Sequence, residues 1–351
     1  MARGVRGHYA DGLSYAGMIM PSSLNHFGVI GAGAWGTALS LALTRAGRSA
    51  TLWVFEPDLA ASIAEKRENT AFLPGVRLPS DVCITNNLAD LTSCNALVLA
   101  TPAQHVRAVC KNLAPHASPL TALVIAAKGI ESTTHRLMSE IVSEVLPQNP
   151  VYILSGPSFA TEVARNLPAA LTLASEWGAE NLALAMASPL FRLYTTDDII
   201  GTQIGGAVKN VLAIACGIVS GRGLGENARA ALITRGLAEI SRLGAALGAR
   251  VETLMGLSGL GDVVLTCSSM QSRNMSLGFA LGQGKKLDEI LAERRCVTEG
   301  ISTASATLGL ARRHGVEMPV VSAVDMILRD KASIEESIKA LLARPLRNET
   351  L

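Results

Sequence analysis

Apolar residues in the first half of the chain come in short dense runs, separated by stretches with helical periodicity. HFGVI (26–30), SATLWVF (49–55), VCIT (82–85), ALVLAT (96–101), TALVIAA (121–127), VYILS (151–155), ALTLAS (170–175) and FRLYTT (191–196) are rich in Val, Ile and Leu and predict strands. Between them, segments 36–47, 58–68, 103–113, 133–146, 160–165 and 178–188 read as helices. Strands that are apolar on both faces and alternate with helices predict a buried, mostly parallel sheet.

Beyond about residue 200 the strand pattern stops. TQIGGAVKNVLAIACGIVSG, NARAALITRGLAEISRLGAALG, RNMSLGFALGQG and GISTASATLGLARRHG all read as helices. In the span 227–248, Ala231, Leu232, Leu237, Ile240, Leu243 and Leu247 fall near helical spacing, and Gly248 ends it. The expected fold is α/β: a Rossmann-like doubly wound sheet over 25–200, followed by an all-α domain over 201–345. Residues 1–24 read as a poorly ordered extension without the apolar run of a signal peptide, and Met18 or Met20 would also serve as a start. A length of 351 residues suits two domains. Their junction is a favoured place for a ligand.

Composition narrows the function classes. Hydrophobic residues make up 49 % of the chain and aromatic ones 4 %, which suits tightly packed layers. The net charge of +2 comes from scattered residues, so neither a nucleic-acid nor a membrane partner is expected. The stretch GGAVKNVLAIACGIVSG carries a Lys and reads as too short and Gly-rich to span a bilayer. Six cysteines without C-x-x-C spacing read as core thiols of a reducing, cytoplasmic compartment. Six histidines without ligand spacing predict no metal site.

The candidate chemistry starts at FGVIGAGAWGTALSLALTRAG (27–47). Gly31, Gly33 and Gly36 follow a predicted strand and open a predicted helix. A second strand ends at Phe55-Glu56, twenty residues past Gly36. In a dinucleotide-binding turn the first glycine permits the bend, the second admits the pyrophosphate and the third packs helix on strand. Helix-start N–H groups would face the phosphates. Glu56 stands where a carboxylate accepts from the adenosine ribose and would repel a 2′-phosphate, so NAD is favoured and NADP remains open.

Lys209, in GAVKNVLAIACG, sits among apolar residues. A shielded ammonium loses its proton more easily and suits a general acid–base; the competing reading is a lysine that snorkels to the helix surface. Lys128 follows a strand, where ligands collect in doubly wound folds. Asp262 and Thr266 follow a Gly-rich turn, and Ser272-Arg273-Asn274 would grip an oxyanion. The alternatives there are a helix N-cap for Asp262 and a surface position for Arg273.

Eight stretches in order, GAGAWGTALS (31–40), NTAFLPGVRLP (69–79), AAKGIE (126–131), SGPSFATEV (155–163), GGAVKNVLAIACGI (205–218), LSGLGDVVLTC (257–267), QSRN (271–274) and VTEG (297–300), make the chain resemble the bacterial-type NAD(P)-dependent glycerol-3-phosphate dehydrogenases. The resemblance implies reversible reduction of dihydroxyacetone phosphate, with Lys209 catalytic. It implies substrate contacts from Lys128, Gly156, Ser158, Lys209, Asn210, Asp262, Thr266, Ser272, Arg273 and Asn274. It implies NAD or NADP contacts from Gly31, Gly33, Ala34, Trp35, Gly36, Phe55, Glu56, Lys128, Ala160, Arg273, Val297 and Glu299. Gly156, Ser158, Val297 and Glu299 rest on the resemblance alone. Family members that use NADP well often carry Arg or His just after the second strand, where this chain has Phe55-Glu56. A homodimer and a role in glycerophospholipid synthesis are implied as well. The rival readings are another two-domain hydroxy-acid or hydroxyacyl dehydrogenase, and a non-catalytic dinucleotide sensor.

Overall fold

All eight predicted strands form: β1 (His26–Ile30), β2 (Ser49–Trp53), β3 (Val82–Thr85), β4 (Ala96–Leu99), β5 (Ala122–Ile125), β6 (Val151–Ser155), β7 (Ala169–Ala174) and β8 (Phe191–Thr196). The structure is a computed structural model that describes residues 24–119, 121–294 and 297–345. The expected extension over 1–24 therefore lies, Leu24 apart, outside the described residues. The strands make one sheet in the order β3-β2-β1-β4-β5-β6-β7-β8. Every neighbouring pair is parallel except β6 with β7. The order reverses at β1, which pairs with β2 on one side and β4 on the other. A doubly wound sheet opens its crevice there, beyond the carboxyl ends of the strands. Val29 faces Leu52 on one side and Val98 on the other, and all three are fully buried.

Several helices differ in extent from the pattern reading, among them 103–113, which divides into a 3₁₀ turn at Ala103–His105 and a helix at Val106–Leu113. The first helix of the chain is Ala34–Arg45 and begins inside the glycine turn. The segment predicted as helix over 133–146 is helical only as Met138–Val145. Its first part is a reverse turn closed by an Ile130–Leu137 bridge, with His135 at φ +54°. Helical spacing alone does not reveal such a turn.

The helical half is built around Ile199–Gly221, in which every residue from Gly201 to Ile218 is buried. At 23 residues this helix is long enough to cross a membrane, which corrects the expectation that it is too short. With 83 % of its apolar window packed inside the fold, it is a core helix. The helix Arg273–Gly282 lies against it at backbone contact. A Cβ on Gly278 would come within 2.0 Å of the Ile214 carbonyl, and one on Gly217 within 2.1 Å of the Met275 carbonyl. This close approach brings Asn274 beside Asn210. The helix Glu226–Leu247 ends at Gly248, whose φ is +90°. Four of the five described cysteines are buried free thiols, Cys83 is exposed, and Cys296 lies outside the described residues.

Gly278→Ala would push two helices apart at their backbones. It is expected to lower stability by about 1–3 kcal/mol or more, read as the midpoint of urea unfolding. An unchanged midpoint would show that the crossing tolerates a side chain.

Candidate active site between the sheet and the helices

The three glycines of the first turn separate into three physical roles. Gly31 has φ +114°, a conformation that side chains rarely adopt. A Cβ on Gly36 would lie 1.9 Å from the Gly31 carbonyl, so that position must be bare for the helix to pack. A Cβ on Gly33 would meet no protein atom within 4 Å. The middle glycine thus faces open space, at the N-terminus of a helix that no side chain caps. First-turn N–H groups of a helix have no intrahelical partner, so those of Ala34, Trp35 and Gly36 are left for an anion. The Trp35 indole N–H is buried without a partner.

Beyond β2, the Phe55 ring is 72 % exposed and stands edge-on to Trp53 with centroids 6.0 Å apart. Glu56 is exposed and does not cap the helix Pro57–Lys66 that follows it. Arg67 turns away to the carbonyls of Pro79 and Val82. An open turn, an uncapped helix start, a bare aromatic face and a free carboxylate fit an adenine dinucleotide.

Asn69, which lies in one of the matching stretches but is not among the candidate residues, supports this loop. It is fully buried, donates to the Ala32 carbonyl (2.8 Å) and Thr37 Oγ1 (2.9 Å), and accepts from the Phe72 N–H (3.1 Å). Local pattern does not mark its amide donors, whose acceptors are 32 and 37 residues away.

At the carboxyl end of β5 the chain reaches Lys128. Across the crevice, a π-helical turn at Leu257–Gly261 leads into the helix Asp262–Cys267. Bare Gly205 lets this turn approach, since a Cβ there would be 2.4 Å from the Ser258 carbonyl. Asp262 is fully buried. Lys209 Nζ donates to Asp262 Oδ1 at 2.6 Å and to Thr266 Oγ1 at 2.9 Å. Lys128 Nζ donates to Asp262 Oδ2 at 2.7 Å and to the Gly156 carbonyl at 3.1 Å. Lys209 therefore does not snorkel, and the Asp262 side chain caps nothing. Burial brings the Lys209 pKa down to about 8; Asp262 opposes that shift and the Lys128 charge adds to it.

The remaining predicted residues surround this trio. Asn210 Oδ1 accepts from Asn274 Nδ2 at 2.9 Å, and Asn274 Oδ1 accepts the Gly300 N–H at 3.0 Å. Gly156 has φ +142°, and Ser158 Oγ donates to its carbonyl at 3.1 Å. Ala160 begins the short helix Ala160–Ala164. Ser272 caps its helix by accepting the Met275 N–H. Arg273 is exposed and does not touch the Lys–Asp–Lys group; its guanidinium donates to the Val297 carbonyl at 3.1 Å. Glu299 accepts the Ala103 N–H at 3.3 Å, and burial raises its pKa. A cleft of about 370 Å³ opens between residues 102–105 on one side and Leu291, Arg294 and residues 297–302 on the other.

Two family models match, the N-terminal part of NAD-dependent glycerol-3-phosphate dehydrogenase over residues 26–181 and its C-terminal part over 198–339. The glycerol-3-phosphate dehydrogenase [NAD(P)+] of Parvibaculum lavamentivorans is 52 % identical over 324 residues, covering 92 % of this chain and 97 % of the relative. That of Caulobacter vibrioides is 53 % identical over 324 residues, covering 92 % and 98 %. This chain belongs to the glycerol-3-phosphate dehydrogenase family. It is an oxidoreductase that uses NAD or NADP. The crystal structure of the Coxiella burnetii glycerol-3-phosphate dehydrogenase superposes with a TM-score of 0.88 at 38 % identity, covering 91 % of this chain and 99 % of that one. A Ralstonia eutropha ketopantoate reductase, 14 % identical with a TM-score of 0.58, shares the fold.

A lysine whose folded pKa lies near 8 instead of 10.5 binds its proton less tightly than the unfolded chain does. Stability tied to Lys209 is thus present above pH 10.5 and lost as pH falls through about 8. In urea unfolding, the stability of the unmodified dehydrogenase relative to Lys209→Met is expected to rise by up to roughly 3 kcal/mol across that window. A difference that does not vary with pH would mean an ordinary lysine.

Proposed function

We propose that this dehydrogenase interconverts dihydroxyacetone phosphate and sn-glycerol 3-phosphate in the crevice lined by Lys128, Lys209 and Asp262. The observation that carries the reading is the pair of ammonium groups on one buried carboxylate, on the helical side of a dinucleotide-type turn. Gly31, Gly33, Ala34, Trp35, Gly36, Phe55, Glu56, Lys128, Ala160, Arg273, Val297 and Glu299 would hold NAD or NADP, which would supply or accept the hydride at the substrate's central carbon.

The chain's own part is proton transfer and charge. Lys209 Nζ gives its proton to the carbonyl oxygen during reduction and takes it back from the hydroxyl during oxidation. A lysine with a pKa near 8 serves both directions, because both of its forms are populated close to neutral pH. Asp262 and Thr266 hold the ammonium in one orientation. Asn274 occupies the Asn210 oxygen, which leaves the Asn210 amide hydrogens for a substrate oxygen. Gly156, Ser158, Ser272, Arg273 and Asn274 complete the substrate contacts, with Arg273 the cation for the phosphate. Such positioning supplies up to about 7–11 kcal/mol of a barrier.

The same reading makes the protein a cytoplasmic enzyme that provides the glycerol phosphate backbone of phospholipids. A homodimer is part of it, and exposed Leu224, Val264 and Met270 supply apolar surface on the helical side.

Lys209→Ala is expected to lose about 10²–10⁴-fold in kcat with dihydroxyacetone phosphate, while NADH still binds by fluorescence. Turnover close to the unmodified enzyme would remove Lys209 as the proton donor. For the cofactor, Glu56→Arg is expected to raise kcat/KM for NADPH relative to NADH, since the carboxylate that repels a 2′-phosphate is gone. An unchanged ratio would show that residue 56 does not meet the ribose.

A further inference from the structure

Lys128 opens the segment that follows β5, and this segment is held from both ends. Behind it, the N–H groups of Ala126 and Ala127 both donate to the Leu99 carbonyl, which ends the chain's tie to β4. Ahead of it comes Gly129, so tightly seated that a Cβ would lie 2.6 Å from the Ala103 Cβ. The next residues are gripped by side chains from one helical stretch, Ala103–Leu113. Gln104 donates to the Ile130 carbonyl and accepts the Ser132 N–H, each at 2.9 Å. One turn further on, Arg107 meets Glu131 in a two-pronged pair at 2.8 and 3.0 Å.

The Arg107–Glu131 pair is an expensive one to place. Glu131 is 6 % exposed, and a buried carboxylate needs full compensation. It has that compensation: Thr134 also donates to it, and its hydrogen bond from Arg107 holds its carboxyl below the usual range. On its other side Arg107 reaches Glu144 at 2.7 Å, and Arg136 pairs with Glu144 as well. A doubly bonded ion pair on a buried carboxylate fixes geometry even where it adds little net stability. Here the geometry it fixes is that of the residues directly after Lys128.

We infer that Gln104, Arg107 and Glu131 are positioning residues of the reaction: they hold the backbone after Lys128 so that its ammonium stays on Asp262 Oδ2. The inference rests on the active-site reading above, because it needs Lys128 and Lys209 to share Asp262. Its consequence reaches the proton donor. The titratable groups facing Lys209 are Asp262, Lys128, Cys267 and Glu299. Loosening Lys128 removes the one cation among them and leaves the whole of Asp262 to Lys209. Lys209 then keeps its proton to higher pH.

The test is a double-mutant cycle with dihydroxyacetone phosphate and NADH on the full-length protein. Glu131→Gln preserves side-chain shape but breaks the pair. Gln104→Ala loosens the same segment without disturbing a buried charge, and it carries the test if Glu131→Gln does not fold. Each is expected to lower kcat/KM about tenfold, and to add little further loss when combined with Lys128→Ala. In each, the fall of kcat/KM above about pH 8 moves to higher pH, towards its position in Lys128→Ala. Losses that multiply with that of Lys128→Ala, or a falling limb that does not move, would overturn the inference and leave a structural ion pair. If Lys128→Ala itself keeps full kcat/KM, the failure belongs to the active-site reading instead.

Discussion

One carboxylate, Asp262, is withdrawn from water and bonded to an ammonium on each of its oxygens. One ammonium arrives from the carboxyl end of β5 and the other from the core helix of the second half, so this group joins the two layers at their crevice. Removing one partner of such a buried arrangement typically costs about 3–5 kcal/mol, because an uncompensated charge stays behind. The same desolvation that makes the trio costly makes it useful. It brings the Lys209 pKa to about 8, where the group can both give and take a proton.

Bare backbone is what lets the trio assemble. Gly205 admits the turn that carries Asp262, and Gly206 lets the core helix pass the end of β6: a Cβ there would stand 2.5 Å from Ser155 Oγ. Gly217 and Gly278 let the helix bearing Arg273 and Asn274 lie against the helix bearing Asn210. The dinucleotide turn works by the same logic, with Gly36 bare for packing and Gly33 bare towards open space. Side chains are omitted where backbones must touch, and polar groups are concentrated where the resulting crevice excludes water.

Charge is distributed to match. The cationic Arg273 stays exposed beside Val297, free to meet an anion, whereas the two lysines are turned inward onto Asp262. Asn274 links the two regions through Asn210 on one side and the Gly300 N–H on the other. Arg273 and Asn274, expected to hold a phosphate, are therefore both hydrogen-bonded to the segment that carries the expected cofactor contacts Val297 and Glu299.

Much of this was written in local pattern. Dense Val, Ile and Leu runs specify strands wherever they fall, and glycine spacing after the first of them specifies the turn, because both depend on neighbours within a few residues. Lys209 was conspicuous because an ammonium inside an apolar helix is chemically anomalous in any setting. What local pattern leaves open is partnership. Whether Lys209 turned outward or inward depended on Asp262, 53 residues away, and the seat of Lys128 depended on Asp262 at a separation of 134. Local pattern does not mark Asn69 beneath the glycine turn or the Arg107–Glu131 anchor, since each is an ordinary polar residue until the fold sets it against its partner. Residue order is enough to specify the elements and to supply the groups capable of the chemistry; which charges meet out of water is settled by the fold, because desolvation and pairing are properties of a place that distant segments build together.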